Sequence, residues 1–141
     1  MSNRTGLGLI KESEGLRLKA YLCPAGIPTI GYGETENVKL GDTCTEEWAE
    51  TTLEKRYDWF EAGVKKLVTV PLTEGQLGAL TSFSYNLGLG SLQHSTLLKL
   101  LNSGAPAQQV AEEFGKWNKA AGHELPGLTI RRAAEAKLFL S

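Results

Sequence analysis

The fold is decided by residues 14–33, EGLRLKAYLCPAGIPTIGYG, because the hydrophobic period changes within this stretch. The apolar residues before Glu14 fall at helical spacing, which predicts a short N-terminal helix that ends at Gly15. From Leu16 onward apolar and polar residues alternate, which predicts a strand. The turn-forming residues 23–26 follow, and the alternation then resumes. We therefore expect a helix and a small hairpin whose first strand buries Leu16, Leu18, Ala20 and Leu22.

The rest of the chain has helical periodicity. Thr45 is a predicted N-cap for a helix of more than 20 residues, and Thr73 with Gln76 fits a capping box. Further helices are predicted at 91–102 and 129–140, the last with Ala133, Ala136 and Phe139 on its inner face.

The predicted architecture is a single α+β domain over residues 1–141. It has a small lobe at about 15–45 and a larger helical lobe at about 60–141, which also includes the N-terminal helix. The long helix joins the two lobes.

Composition excludes several classes of protein. The chain has 141 residues, is 41% hydrophobic and carries a net charge of −1, which argues against disorder and against a nucleic-acid partner. Two cysteines do not make a disulfide framework, and two histidines give no metal-ligand pattern. Since no signal peptide or membrane span is evident, we expect accumulation in the cytoplasm and no membrane insertion.

Glu14 is the first candidate for chemistry. A carboxyl group on the apolar stripe of a helix loses solvation, which disfavours its ionised form and keeps a proton available. That is the property of a glycosidase acid. Glu14 could instead lie in water at a frayed helix end, or form a structural pair with Arg17 or Lys11.

Cys23 and Thr29 flank the predicted turn of the hairpin. A hydroxyl near a carboxylate can hold a water, and a thiol of lowered pKa can act as a nucleophile or base. The alternatives are ordinary: a free cysteine is usually a small buried apolar residue, and threonine is common in strands. Neither residue would be selected alone.

The combination resembles the phage-type lysozymes, the endolysins of glycoside hydrolase family 24. Their signature is a catalytic Glu, eight residues, an Asp, five residues and a Thr. The same spacing gives Glu14, Cys23 and Thr29, and the spaced glycines around Tyr32 match as well. The resemblance implies a two-lobed fold with Glu14, Cys23 and Thr29 as catalytic residues and Tyr32 as a supporting or substrate-binding residue.

The resemblance continues toward the C-terminus. Asn86-Leu87-Gly88 and Ser95-Thr96-Leu97-Leu98 resemble the central helices that line the cleft, which implies substrate-binding or supporting roles for Asn86 and Ser95. An Arg of the C-terminal segment pairs near the catalytic Glu in this family. Arg131 fits best, although Arg132 is one position away and either could belong to a solvated face.

Two residues depart from the family pattern. Cys23 stands where the family has Asp, and Glu34 follows the second glycine where the family commonly has His. Loss of the Asp could leave an inactive peptidoglycan-binding module, which is the main alternative. We expect activity, because a thiol can still orient water and the flanking motif is intact. For Glu34 we expect a surface or pairing role and not a replacement base.

The resemblance implies hydrolysis of the β-1,4 bond after N-acetylmuramic acid in peptidoglycan, without metal or cofactor, by a monomer. Glu14 would protonate the leaving oxygen while Cys23 and Thr29 hold the attacking water, giving inversion. A nucleophilic Cys23 would give retention, and a lytic transglycosylase would add no water. A helical interaction protein would require the motif to be accidental. The enzyme would reach the cell wall after release from the host cytoplasm.

Overall fold

The computed structural model of the chain describes residues 5–120 and 122–141. These residues form seven helices and four short strands. They are α1 (Thr5–Glu14), β1 (Arg17–Leu22), β2 (Pro28–Gly31), α2 (Glu46–Leu67), α3 (Glu74–Leu87), α4 (Leu89–Gln93), α5 (Thr96–Asn102), α6 (Ala107–Phe114), β3 (Lys119–Ala120), β4 (His123–Glu124) and α7 (Pro126–Leu140). The predicted α+β class is confirmed. No helix in this part of the chain meets the length and apolarity needed to cross a membrane.

The small lobe contains the predicted hairpin, but its first strand is not half-buried. β1 pairs antiparallel with β2, with Tyr21 opposite Thr29, yet Leu18 and Leu22 are 46% and 53% exposed. β1 packs mainly against β2, so no helix of the described residues covers the face that carries Leu18 and Leu22. The core of this lobe lies instead against α1 and α2 and comprises Ile10, Tyr32, Ala49, Leu53 and Tyr57.

Helix α2 joins the lobes as predicted. It has 22 residues, and the hydroxyl of Thr45 accepts a hydrogen bond from the Trp48 amide at its start. Its apolar stripe contributes Leu53 and Tyr57 to the core of the small lobe and Val64 to the core of the helical lobe. One amphipathic helix thus belongs to two hydrophobic cores, which fixes their spacing.

The helical lobe begins with the predicted capping box of Thr73 and Gln76, which is confirmed. The expected single helix over 91–102 is wrong, because it is divided into α4 and α5. Ser95 causes the break: its hydroxyl accepts from the Leu98 amide and donates to the Leu92 carbonyl. A side chain that satisfies a new helix start competes with continuation of the old helix.

Helix α7 differs from its prediction in start and in orientation. It begins at Pro126 and not at Thr129, since proline is well suited to a first helical position. Its buried face carries Arg131, Arg132, Glu135 and Phe139, whereas Ala133 is exposed. The apolar spacing was misleading because this helix buries an ion network.

Helix α1 is docked by a close backbone approach. A Cβ on Gly6 would collide with the carbonyl oxygen of Gly78 in α3, and one on Gly78 would lie 2.8 Å from the Gly6 nitrogen. The Gly6 amide donates to the Tyr57 hydroxyl at 3.1 Å. Since Gly6 and Gly78 leave no room for side chains, α1 rests directly on α3 and delivers Glu14 to the junction of the lobes.

Candidate active site

Glu14 ends α1 with its carboxyl partly enclosed, at 22% exposure of the side chain. Its Oε2 accepts from Nη1 of Arg131 at 2.7 Å, while the Arg131 side chain is 6% exposed. The charge-assisted bond holds the carboxyl in one position. The proposed Arg131 partner therefore faces Glu14, and Arg132 does not take that place.

A buried ion network lies behind Arg131; we use this term for Glu14, Arg131, Arg132, Glu135 and Ser82. Glu135 Oε2 lies 3.4 Å from Arg131 Nε, and Glu135 Oε1 lies 2.7 Å from Arg132 Nε. Ser82 donates to Glu135 at 2.5 Å, and its carbonyl accepts from Arg131. Burial raises the pKa of Glu135, and Arg132, Ser82 and Arg131 oppose that rise.

A second contact with Glu14 comes from the glycine turn, residues 30–34. Two backbone hydrogen bonds between Ile30 and Glu34, at 2.8 and 2.9 Å, close this turn. Gly33 has φ +84°, and a Cβ placed there would lie 2.9 Å from Glu14 Oε1. Any larger residue would be strained and would push on the carboxyl group. The Gly33 backbone thus packs directly against the Glu14 carboxyl group.

Cys23 and Thr29 lie together at the turn of the hairpin, and neither lines the cavity that Glu14 shares with Arg131. The Thr29 hydroxyl is buried and donates to the Ile27 carbonyl at 2.8 Å. A hydrogen bond from the Ile27 backbone lowers the pKa of the Cys23 thiol, burial raises it, and the Ala25 backbone, the Thr29 hydroxyl and the Gly26 backbone lower it further. The lowered pKa increases the share of the thiolate, the reactive form of cysteine.

Glu34 is buried in the junction of the lobes. Its Oε1 accepts from the Tyr85 hydroxyl at 2.9 Å and lies 3.0 Å from Arg56 Nε. The Tyr85 hydroxyl also lies 3.0 Å from the Tyr32 carbonyl. A side chain with these partners is a pairing group, in agreement with the pairing role expected from sequence.

Tyr32 and Asn86 are placed differently. Tyr32 is buried, donates to Glu50 Oε1 at 2.9 Å and lies under Lys11, so it supports the small lobe. Asn86 lines a cavity of about 700 Å³ together with Glu14 and Arg131, and its Oδ1 is buried without a hydrogen-bond partner. A free acceptor at the wall of this cavity suits a substrate donor.

Ser95 is not part of this arrangement. It is 2% exposed, and its hydroxyl is engaged in the cap between α4 and α5. Of the substrate-binding and supporting roles implied for Ser95, these hydrogen bonds fit the supporting role. Sequence reasoning also missed Glu135 and Ser82; the spacing of Glu135, three and four residues after Arg132 and Arg131, is the signal that could have identified the former.

The two cysteines are free, and Cys44 is far from Cys23. The Cys44 amide donates to the Leu18 carbonyl. Five residues of strand at about 3.3 Å each place Leu18 roughly 17 Å from Cys23, so Cys44 beside Leu18 is too far from Cys23 for a disulfide. Among residues 5–120 and 122–141, no group of three or more His, Cys, Asp or Glu side chains could hold a metal ion.

Comparisons with known proteins show which family the chain resembles in sequence and in fold. The family model described as phage lysozyme matches residues 11–135. The endolysin of Acyrthosiphon pisum secondary endosymbiont phage 1 is 46% identical over 140 residues, covering 96% of this chain and 95% of that protein. The endolysin of Bacillus phage B103 is 45% identical over 99% of this chain, which spans 54% of that longer protein. The solved endolysin from Escherichia coli O157:H7 phage FAHEc1 superposes with a TM-score of 0.89 at 40% identity, covering 100% of this chain and 94% of the other.

The fold and the family match define this protein as a glycoside hydrolase with a lysozyme fold. The chain belongs to the phage lysozyme family. Its function is hydrolysis of peptidoglycan in the manner of an endolysin. Nothing in the comparisons favours the alternative of an inactive binding module.

Proposed function

We propose that this chain is an inverting endo-muramidase in which Glu14 is the general acid. The observation that carries the proposal is the pairing of Glu14 Oε2 with Arg131 at 2.7 Å beside a cavity of about 700 Å³. Because Oε2 is occupied by Arg131, Oε1 is the oxygen that delivers the proton. The proton passes to the glycosidic oxygen as the bond to the muramic acid carbon breaks.

Cys23 and Thr29 are proposed to supply the attacking water. The lowered pKa of Cys23 supports a thiolate that takes the proton of the water. The Thr29 hydroxyl donates to Ile27, which leaves its oxygen free to accept from the same water. Attack from the face opposite the leaving group inverts the anomeric carbon.

Asn86 and Tyr32 have separate proposed roles. The unpaired Oδ1 of Asn86 supports a contact with an N–H or hydroxyl of the glycan in the same cavity. Tyr32 supports the hairpin from within the core of the small lobe. No metal and no cofactor enters the proposed mechanism.

Digestion of purified peptidoglycan, followed by mass spectrometry and NMR of the first product, tests this proposal. We expect soluble muropeptides with a hydrated muramic acid reducing end in the inverted anomeric form. A retained anomer would make Cys23 a nucleophile, and products lacking the added water would indicate a transglycosylase. Undigested peptidoglycan, with binding intact, would refute catalysis.

The remaining proposals concern assembly and location. We propose a monomer that accumulates in the host cytoplasm and reaches peptidoglycan after release. Light scattering of the purified protein tests the first point. Fractionation of expressing cells before and after lysis tests the second, and protein found in the periplasm before lysis would contradict it.

A further inference from the structure

Glu34 is a buried charged group that the mechanism above does not use. Its side chain is 6% exposed although it belongs to a turn between two lobes. A buried carboxylate must be compensated by partners, and Glu34 has two, from different helices. Tyr85 of α3 donates to it at 2.9 Å, and Arg56 of α2 lies 3.0 Å away.

These partners hold the glycine turn on both sides of Gly33. On one side, the Tyr85 hydroxyl lies 3.0 Å from the Tyr32 carbonyl. On the other, the carboxylate of Glu34 is tied to Tyr85 and Arg56. Gly33, between them, is the residue whose backbone packs against Glu14 Oε1.

We infer that Glu34 is a positioning residue, whose carboxylate, held by Tyr85 and Arg56, fixes the glycine turn so that Gly33 keeps the Glu14 carboxyl group in place for proton transfer. The inference rests on the proposed role of Glu14 as the acid. It assigns no contact between Glu34 and substrate. A small displacement of a catalytic group is enough to lower the rate of a chemical step strongly.

The hydrogen bonds of the turn depend on the charge of Glu34. The Tyr85 hydroxyl has one proton and two acceptors within reach, Glu34 Oε1 and the Tyr32 carbonyl. Ionised Glu34 accepts that proton, whereas protonated Glu34 donates to the Tyr85 oxygen and turns the Tyr85 proton toward Tyr32. The two charge states therefore hold the turn by different bonds.

Four groups from separate elements determine where this change occurs. Burial raises the pKa of Glu34, Tyr85 of α3 and Arg56 of α2 lower it, and Glu14 of α1 and the neighbouring Glu36 raise it. The net direction is upward. As pH falls through this raised pKa, the arrangement with ionised Glu34 is lost.

The chain offers a matched pair of variants for the test. Glu34→Gln keeps size and an acceptor for Tyr85 but removes the charge that faces Arg56. Glu36→Gln makes the same change two residues away, in a side chain that is 78% exposed and 4.0 Å from the same guanidinium group. Tyr85→Phe removes the bridging hydroxyl and leaves the Glu34–Arg56 pair, so it serves if Glu34→Gln does not fold.

Kinetics on soluble glycan fragments give the first measurement. We expect Glu34→Gln and Tyr85→Phe to lower kcat about tenfold or more while KM stays within about threefold. Glu36→Gln should leave both within about twofold. The component of the wild-type pH profile that arises from Glu34 should be absent from Glu34→Gln. Wild-type kcat and an unchanged pH profile in Glu34→Gln would overturn the inference.

Hydrogen exchange gives a measurement that does not depend on activity. The amides of Gly33 and Glu34 should exchange faster in Glu34→Gln than in Glu36→Gln, and equal exchange in the two variants would overturn the inference. A wild-type protein that releases no muropeptides would instead refute the proposed function. Faster exchange in Glu34→Gln would even then support the positioning of the turn.

Discussion

Glu14 is held from two sides that differ in kind. On one side, the buried ion network meets its Oε2 with a guanidinium group that is itself fixed by Glu135 and Ser82. On the other side, the glycine turn meets its Oε1 with backbone atoms alone. Side-chain charges thus fix where the Glu14 carboxyl group points, and a backbone contact limits how far it can move.

Packing differs between Cys23, where the chain departs from the family motif, and the buried ion network. Cys23 lies at the exposed end of the hairpin, where a change of side chain disturbs little packing. Arg131, Arg132 and Glu135 lie in the interior, where each charge depends on the others. We therefore expect a substitution at Cys23 to cost little stability and a substitution in the buried ion network to cost much more.

The largest loss of activity is expected from a change at Glu14, which both the buried ion network and the glycine turn contact. Glu14→Gln removes the transferable proton but keeps a side chain of the same size against Gly33 and Arg131. We expect kcat on peptidoglycan to fall about 10²- to 10⁴-fold or more, with glycan binding retained. Turbidity assays and a binding assay on purified cell walls measure both; lysis within a few fold of wild type would show that another group is the acid.

Breaking the network side should cost both stability and activity. Arg131→Ala leaves Glu14 and Glu135 without their shared partner, and removal of one member of a buried pair costs about 3–5 kcal/mol. Arg17→Ala, an exposed arginine of β1, is the control and should change stability by less than about 1 kcal/mol. Denaturant unfolding and cell-wall lysis measure the two effects, and a stable, active Arg131→Ala protein would contradict this reading of the network.

Alanine at Gly33, compared with alanine at Gly104, should separate the effect of backbone strain from the effect of contact with Glu14. Gly33 and Gly104 have φ of +84° and +83°, but only at Gly33 would a Cβ meet Glu14. Both Ala variants should lose about 1–2 kcal/mol of stability from backbone strain, while only Gly33→Ala should lose activity, by about tenfold or more. Thermal unfolding and kcat compare them; equal kcat in the two variants would mean that the turn does not position Glu14.

Cys23 tests whether the hairpin side contributes chemistry. Cys23→Asp restores the carboxylate of the family motif and should remain active, whereas Cys23→Ala can neither accept a proton nor hold water. We expect a loss of about tenfold to 10²-fold for the Ala variant and inactivation of the wild type by thiol alkylation. Rates on purified peptidoglycan decide the matter, and an Ala variant as fast as wild type would make Cys23 a bystander.

The smallest effect concerns pH and stability. Because the pKa of Glu34 is raised in the folded protein, the folded state binds its proton more tightly than the unfolded state does. The contribution of Glu34 to stability is therefore fully present below the ordinary carboxyl pKa and is lost as pH rises through the raised value. The free energy of unfolding of the wild type minus that of Glu34→Gln should therefore fall as the pH rises from the ordinary carboxyl pKa through the raised pKa of Glu34. A difference that stays constant with pH would contradict this prediction.

The sequence predicted the parts of the site that depend on local pattern. The period change at residues 14–33 placed Glu14 at a helix end beside a hairpin, and the family motif identified Arg131. The network behind Arg131 was not predicted, because charged residues are normally read as exposed and Glu135 is buried only through its partners. The sequence left the role of Ser95 open, since a serine that caps a buried helix and one that binds substrate look alike there.

Helix α1 crosses α3 near its beginning and carries the Glu14 carboxyl group at its other end. The two helices touch at Gly6 and Gly78, and Glu14 lies eight residues after Gly6, about 12 Å along the helix axis. A methyl group added at Gly6 would collide with α3 at this crossing. We therefore expect the rate of the reaction to be sensitive to Gly6, although it touches neither the substrate nor the Glu14 carboxyl group.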